Sequence, residues 1–173
     1  MKACLKVFLT AVMVFYMSGC FDFNIYDSGV PLAPVKQAVF DPQLLGEWES
    51  MVTEGRPEES QHLRFIRFNQ KEYAITSGQK NDCSIVRAYI VRIKGVPFLN
   101  LQELETGGEQ NFVFCKYALS PEGVLTLTFV GDELFADLKD KLTRPKKLYK
   151  FIKKNLSNEK LFNTESTMKF QRQ

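Results

Sequence analysis

The sequence predicts a mainly β fold, an eight-stranded antiparallel barrel with a helical insertion between strands seven and eight. Runs rich in Val, Ile, Phe, Tyr and Thr follow one another from Gly46 to Val130, separated by turn residues. The apolar spacing then becomes helical over about residues 131–161, and a last alternating run follows. Consecutive antiparallel strands leave two open edges, and closing the sheet into a barrel removes both.

The individual strands are delimited by turns such as Lys94-Gly95-Val96-Pro97 and Ser120-Pro121-Glu122-Gly123. Alternation of apolar residues with threonine, clearest in Val124–Val130, predicts one buried and one solvated face. The predicted strands are Glu47–Thr53, Leu63–Asn69, Tyr73–Thr76, Ser84–Ile93, Phe98–Glu105, Phe112–Leu119, Val124–Val130 and Thr164–Arg172.

The insertion is predicted to hold two helices. Asp132 is placed to cap the first, and Pro145 to occupy the first turn of the second. The apolar residues at helical spacing are Leu134, Phe135, Leu138 and Leu142 in the first helix and Leu148, Tyr149, Ile152 and Leu156 in the second.

Two shorter segments precede the barrel, whose domain is predicted to span residues 41–173. Asp41-Pro42 begins one helical turn, with Asp41 as the N-cap. Phe21–Phe40 contains Gly29 and two prolines and has no clear period, which predicts an extended tether over residues 20–40.

The first residues, MKACLKVFLTAVMVFYMSGC, have the features of a signal peptide. Lys2 and Lys6 precede the apolar run Val7–Met17, which is about half the length that a bilayer-spanning helix needs. The end of this run, Met17-Ser18-Gly19-Cys20, resembles the lipobox of bacterial lipoproteins. The resemblance implies that residues 1–19 are removed and that the Cys20 sulfur carries a diacylglycerol. Two or three acyl chains would give lasting attachment to the membrane.

The start of the barrel carries a second resemblance. Leu45-Gly46-Glu47-Trp48 is similar to the Gly-x-Trp motif that opens the barrels of the lipocalins and related calycins. The resemblance implies that Trp48 plugs one end of the barrel and that a basic residue of the last strand packs across its ring. Arg172 is the better candidate for that residue, and Lys169 is the second.

The two cysteines that remain in the mature domain are Cys83 and Cys115. The envelope of a bacterium permits a disulfide between them. In a plain meander, however, another strand separates the two, so a pair of buried unpaired thiols is the alternative. His62 is the sole histidine and there is no Cys-x-x-Cys, so the sequence predicts neither a metal site nor a cofactor.

Charge is balanced globally but not locally. Removing Lys2 and Lys6 from the 23 basic residues leaves 21 against 20 acidic residues, which gives no reason to expect nucleic acid as a partner. The run from Lys139 to Lys160, in contrast, is strongly basic. Its residues Lys146, Lys147, Lys150 and Lys153 indicate either contact with an anionic surface or an ordinary solvated helix face.

These features predict a lipid-anchored protein of the bacterial envelope that is not an enzyme, because no catalytic constellation is evident. It is expected to bind a small apolar ligand or an envelope protein. The alternative is a structural or assembly accessory whose barrel is filled. Filling of the interior by Phe65, Phe68, Phe112, Phe114 and Phe129 would favour that alternative. Phe21, which follows Cys20, favours the outer membrane facing the periplasm, by resemblance to enteric lipoproteins.

Overall fold

Eight consecutive strands close into an antiparallel barrel in the computed structural model, which describes residues 24–51, 61–79, 82–104 and 111–173. Each strand pairs with the next along the chain, and the last pairs with the first through Trp48 and Arg172. The strands are β1 Asp27–Ser28, β2 Gly46–Ser50, β3 His62–Arg67, β4 Glu72–Gln79, β5 Asp82–Ile93, β6 Val96–Glu103, β7 Phe112–Leu119, β8 Val124–Val130 and β9 Phe162–Arg172, of which β2–β9 form the barrel. The signal peptide, the lipobox and Cys20 lie outside the described residues.

The mainly β class and the closed eight-stranded antiparallel barrel are confirmed, and a helix lies between the seventh and eighth barrel strands. Strand β1 is an additional strand that the sequence did not predict. We call the end of the barrel that holds the turns β3–β4, β5–β6 and β7–β8 the lower end. Strands β2, β4 and β6 end at the upper end, where the chain also leaves β8 for the insertion.

The insertion contains one α-helix rather than two. Helix α1, Pro145–Asn155, begins with its proline in the first turn, as predicted. The first predicted helix is wrong: this segment forms only the 3-10 turns Glu133–Phe135 and Lys139–Lys141. The Asp132 side chain caps nothing there, so the segment lacks the expected start of an α-helix. None of the described helices is long and apolar enough to cross a bilayer.

The prediction of a tether does not hold for residues 24–40, which pack against the barrel. β1 pairs with Phe112 and Val113 of β7, below which β7 pairs with β8. The amide of Leu32 donates to Asn100 Oδ1 at 2.9 Å. Tyr89 Oη on β5 donates to the Ala33 carbonyl at 2.9 Å. The sequence pattern did not predict these contacts, because each joins residues 24–40 to a residue that is distant in the sequence.

The molecule has two apolar cores, one on each side of the barrel wall. The inner core lies inside the barrel, and the outer core lies between the wall and the insertion together with residues 26–38. The inner core consists of Leu44, Trp48, Phe65, Tyr73, Ile75, Ala88, Ile90, Leu99, Cys115, Tyr117, Leu125, Leu127 and Phe170. The outer core includes Tyr26, Leu32, Tyr89, Val91, Ile93, Phe98, Phe112, Phe114, Phe135, Leu148, Ile152 and Leu161. Strands β5–β7 therefore contribute apolar side chains to both cores.

Candidate functional site

The lower end of the barrel is closed by contacts around Trp48. This side chain is fully buried, and its Nε1 donates to the Leu44 carbonyl at 2.9 Å. The Arg172 guanidinium lies 4.3 Å from the centre of the Trp48 ring. Arg172 Nη1 also donates to the Leu45 carbonyl at 2.9 Å, and Nη2 donates to the Gln43 carbonyl. These contacts join the 3-10 turn Pro42–Leu44 to both β2 and β9.

Gly46 is required by this arrangement for two reasons. Its φ of +119° lies in a region that side chains other than glycine rarely adopt. A Cβ at this position would also lie only 3.3 Å from Arg172 Nη1. The spacing of Gly46 and Trp48 thus has a local physical cause in this chain: glycine gives the arginine room to reach the tryptophan.

Asp41 forms further hydrogen bonds at the lower end of the barrel, to the 3-10 turn and to two tyrosines of the inner core. Its carboxylate accepts from the Gln43 amide and so caps the 3-10 turn, as predicted. Its other oxygen accepts from Tyr117 Oη at 2.9 Å, while Tyr73 Oη donates to its carbonyl at 2.9 Å. Burial raises the pKa of Tyr73 to about 12 and, with the hydrogen bond to Asp41, also raises the pKa of Tyr117. Both phenols are therefore neutral structural donors at physiological pH.

The inner core contains only one of the phenylalanines that the sequence singled out. Phe65 belongs to the inner core, and Phe129 packs against it while partly exposed. Phe112 and Phe114 instead belong to the outer core, and Phe68 is 62% exposed. The large side chains inside the lower half are Trp48, Phe65, Tyr73, Tyr117 and Phe170. The sequence missed the tyrosines because alternation alone does not say which face of a strand is inner.

Towards the upper end the interior is less tightly closed. By alternation along their strands, Leu63, Leu101, Phe129 and Met168 face inwards, and all four are only partly buried. Ser77 Oγ and Ser84 Oγ form a hydrogen bond of 2.7 Å on neighbouring strands. The Oγ of Ser166, a residue 2% exposed, has no protein hydrogen-bond partner.

The outer wall carries a partly buried polar network, centred on Glu72, that the sequence did not indicate. Glu72 is 4% exposed and accepts from Arg87 Nε at 2.6 Å. Arg87 Nη1 also donates to Gln102 Oε1 at 3.3 Å, and Asn69 Nδ2 donates to Glu72. Of these residues, only Gln102 was weakly indicated by the sequence. Asn100 and Gln102 alternate with leucines in β6, which predicts that they share one face but not that other residues cover that face.

A shallow depression of about 400 Å³ lies at the lower end. It is lined by Gln43, Leu119, Ser120, Pro121, Gly123 and Arg172. Its only charged lining group, the Arg172 guanidinium, already donates to the carbonyls of Gln43 and Leu45. The depression therefore offers an incoming ligand little beyond surface contact.

The lysines that the sequence singled out all lie on the exposed side of α1. Lys146, Lys147, Lys150 and Lys153 are exposed, and so is Lys154. Leu148 and Ile152, on the opposite side, are fully buried in the outer core. The structure thus presents these lysines together on one helix face.

The last features to consider are the sole histidine, His62, and possible metal-binding groups among the described residues. His62 is exposed at the start of β3, and its Nε2 lies 3.9 Å from Glu49 Oε1. No group of three or more His, Cys, Asp or Glu side chains in the described part is placed to hold a metal ion.

Cys115 is a free thiol in the structure and is fully buried, and burial raises its pKa. The residue of β5 level with Cys115 is Ile90, through Leu99 of β6. Cys83 precedes Ile90 by seven residues on the same strand, about 23 Å along it. This register favours the alternative of unpaired thiols over the Cys83–Cys115 disulfide.

No family model, curated protein or solved structure matches the chain. The class of protein is therefore defined by geometry: a closed antiparallel barrel consistent with the lipocalin-like fold, with Gly46, Trp48 and Arg172 in contact at one end.

Proposed function

We infer that this chain is a lipid-anchored, non-enzymatic protein of the bacterial envelope whose barrel is a filled scaffold and which acts through its outer surface. The observation that carries this proposal is the inner core. Thirteen buried side chains, five of them aromatic, occupy the interior of the barrel. An eight-stranded barrel has an interior just wide enough to be filled in this way.

The absence of an enzymatic role is supported by the surroundings of the nucleophile candidates. The thiol of Cys115 is enclosed in the inner core, with its pKa raised by burial, so little thiolate is present to react. Within the described ranges, His62 forms no hydrogen bond to a serine, threonine or cysteine that it could activate.

The anchor is Cys20 in this proposal, after removal of residues 1–19. Its support is the match of Ser18, Gly19 and Cys20 to the lipobox, with Met17 at the position where leucine is usual. We assign the mature protein to the outer membrane, facing the periplasm, because Phe21 rather than an aspartate follows the anchored cysteine.

The test is an intact-mass measurement of the full chain after expression with its own leader in a bacterium. The expected mass begins at Cys20 and includes a diacylglyceryl group, and Cys20→Ser removes that addition. A mature chain that retains residues 1–19, or begins elsewhere without lipid, overturns the anchor. Native mass spectrometry of the same sample in mild detergent is expected to show no small molecule held stoichiometrically in the barrel.

A second candidate function, binding of a small apolar ligand at the upper end, is favoured by the partly exposed Leu63, Leu101, Phe129 and Met168 and by the unpartnered Ser166 Oγ. A protein that uses this site would lose its ligand when Leu101→Trp and Met168→Trp fill the space. Under the first proposal, the same double variant has no ligand to lose. A co-purified apolar molecule that disappears in the variant would therefore replace the filled-scaffold proposal by the ligand-binding one.

A further inference from the structure

The exposed face of α1 is a lysine face, which we define as Lys146, Lys147, Lys150, Lys153 and Lys154. At 3.6 residues per turn these five side chains fall within an arc of about 120°, opposite the buried Leu148 and Ile152. The helix contains no acidic residue. The five like charges from Lys146 to Lys154 therefore lie along about 12 Å of helix.

The lysine face opposes the stability of its own helix. Lys150 has other lysines three and four positions away on both sides, and like charges at these spacings repel. Lys146 and Lys147 lie in the first turn, where the helix dipole disfavours positive charge. Nowhere in the described residues does one of the five have an ion-pair partner. Glu133, an acid of the same insertion, is paired with Lys160 instead.

The N-terminal chain reaches the domain beside the same insertion. The Asp132 amide donates to the Asn24 carbonyl at 3.0 Å. Tyr26 stacks on Phe135 with a centroid distance of 3.7 Å, and Phe135 meets Phe151 of α1 edge-on at 5.0 Å. Two ring contacts thus separate the first described segment from the helix that carries the lysine face.

The distance from the anchor to this point is short. Only residues 21–23 stand between Cys20 and Asn24. Even fully extended, the four Cα steps from Cys20 to Asn24 span at most about 14 Å. A lipid on Cys20 would thus hold the insertion close to the bilayer surface, whereas a 20-residue tether would let the domain stand clear.

We propose that the lysine face of α1 docks on the anionic head groups of the membrane that holds the lipid anchor, so that the barrel lies with its insertion towards the bilayer. This inference rests on the proposed lipidation of Cys20. The anchor supplies attachment, and the lysine face fixes the orientation. A basic side chain near an anionic leaflet strengthens binding about fivefold, an effect that decays within a Debye length of the surface.

The test uses the mature lipidated protein in vesicles, with reaction rates of individual lysines towards a water-soluble acylating reagent as the readout. One vesicle set is pure phosphatidylcholine, and the other contains one-third phosphatidylglycerol. At low salt the lysine face is expected to react more slowly on the anionic vesicles than on the neutral ones, and high salt should abolish the difference. Lys36, Lys94 and Lys169, which are exposed on other elements, should react equally on both.

Two triple variants with the same change in charge sharpen the result. Lys147→Gln, Lys150→Gln and Lys153→Gln together should weaken docking by about 100-fold, so that Lys146 and Lys154 lose their protection. The matched variant Lys36→Gln, Lys94→Gln and Lys169→Gln should leave the protection of the lysine face unchanged. If both variants lost the protection equally, the net charge of the protein and not the position of the lysines would explain the protection. That result would overturn the proposal.

The remaining outcomes are separable. The mass of the mature chain is measured before any lysine is assayed. A mature chain that lacks the lipid mass and does not stay with the vesicles refutes the anchor. A lipidated chain whose lysine face reacts equally on both vesicle types refutes the docking while leaving the anchor intact. Protection that arises only in whole envelopes, and not on anionic vesicles, would assign the face to an acidic protein or polymer and overturn the membrane as its partner.

Discussion

Trp48 and Arg172 stand directly opposite each other on the first and last strands of the barrel, with the guanidinium 4.3 Å from the centre of the indole ring. This pair therefore lies at the seam where the barrel closes. The cation–π contact contributes about 0.5–1 kcal/mol at an exposed site. Each of the two hydrogen bonds from Arg172 to backbone carbonyls adds a comparable amount.

The first prediction concerns this seam. Arg172→Ala is expected to lower the free energy of unfolding by about 1–3 kcal/mol, because it removes one cation–π contact and two hydrogen bonds. The free energy of unfolding of Arg172→Lys should lie between those of the wild type and Arg172→Ala, since an ammonium cannot reach both carbonyls in the same way. The emission of Trp48, the sole tryptophan, reports unfolding in urea.

Lys169→Ala is the control for the seam, because Lys169 is exposed on the same strand and is not the residue over the indole. Its effect should stay within about 0.5 kcal/mol. If Arg172→Ala were no more damaging than Lys169→Ala, the contact at the seam would contribute nothing to stability.

The second prediction concerns Gly46. Gly46→Ala places a Cβ on a residue with φ of +119° and within 3.3 Å of Arg172 Nη1. The backbone strain alone costs about 1–3 kcal/mol, and displacement of Arg172 adds to it. A urea titration of the variant should show the loss. In Gly29→Ala, by comparison, the added Cβ meets nothing within 4 Å, and stability should be almost unchanged. Equal stability of both variants would refute the steric role of Gly46.

Local patterns predicted the strands because apolar and polar residues alternate with a period of two within each strand segment. β7 and β8 have the predicted bounds, and β9 begins two residues earlier than expected. The same patterns could not say which face is inner in β5–β7, since both faces carry large apolar residues there. Ala88 and Ile90 belong to the inner core, whereas Tyr89 and Val91 belong to the outer one.

Part of the candidate site was predictable and part was not. Trp48 and Arg172 came from a resemblance, and the lysines of α1 from helical spacing opposite Leu148 and Ile152. The course of residues 24–40 was not predictable, because it depends on single contacts at long range, such as the Leu32 amide to Asn100. Glu72 and Arg87 resemble surface charges in the sequence, and only the three-dimensional packing shows that Glu72 is buried.

The third prediction concerns the ion pair of the half-buried Arg87 with the buried Glu72. Arg87→Met leaves the Glu72 carboxylate, which is 4% exposed, without its cationic partner, and should cost about 3–5 kcal/mol. The double variant Glu72→Met with Arg87→Met should be more stable than Arg87→Met alone, because no unpaired charge remains buried. The free energies of unfolding of the single and double variants give the coupling.

An exposed pair provides the comparison for Glu72 and Arg87. Arg64 Nε lies 3.5 Å from Glu47 Oε1, with both side chains more than half exposed. Arg64→Met should therefore cost no more than about 1 kcal/mol. Similar losses for Arg87→Met and Arg64→Met would mean that burial of Glu72 carries no penalty.

The fourth prediction concerns stability at alkaline pH. Burial raises the pKa values of Tyr73 and Tyr89 from 10.0 to about 12 each. Both phenols also donate to backbone carbonyls, Tyr73 to Asp41 and Tyr89 to Ala33. As the pH rises from about 10 to about 12, the unfolded chain loses these two protons while the folded chain keeps them. The unfolded state then binds fewer protons, so the free energy of unfolding falls.

This loss of stability should be measurable by urea titrations at a series of pH values. Tyr73→Phe or Tyr89→Phe removes one ionisable group and should make the fall between about pH 10 and 12 less steep. Lysines titrate in the same range in all the proteins, so the difference between the wild type and each variant isolates the phenol. Phenolate absorbance provides an independent check, because in the folded protein both tyrosines should stay protonated until the pH approaches about 12. An unchanged slope in both variants would show that neither phenol is held neutral by the fold. So would phenolate absorbance of the folded wild type at pH 10 that each variant, Tyr73→Phe and Tyr89→Phe, reduces by one tyrosine.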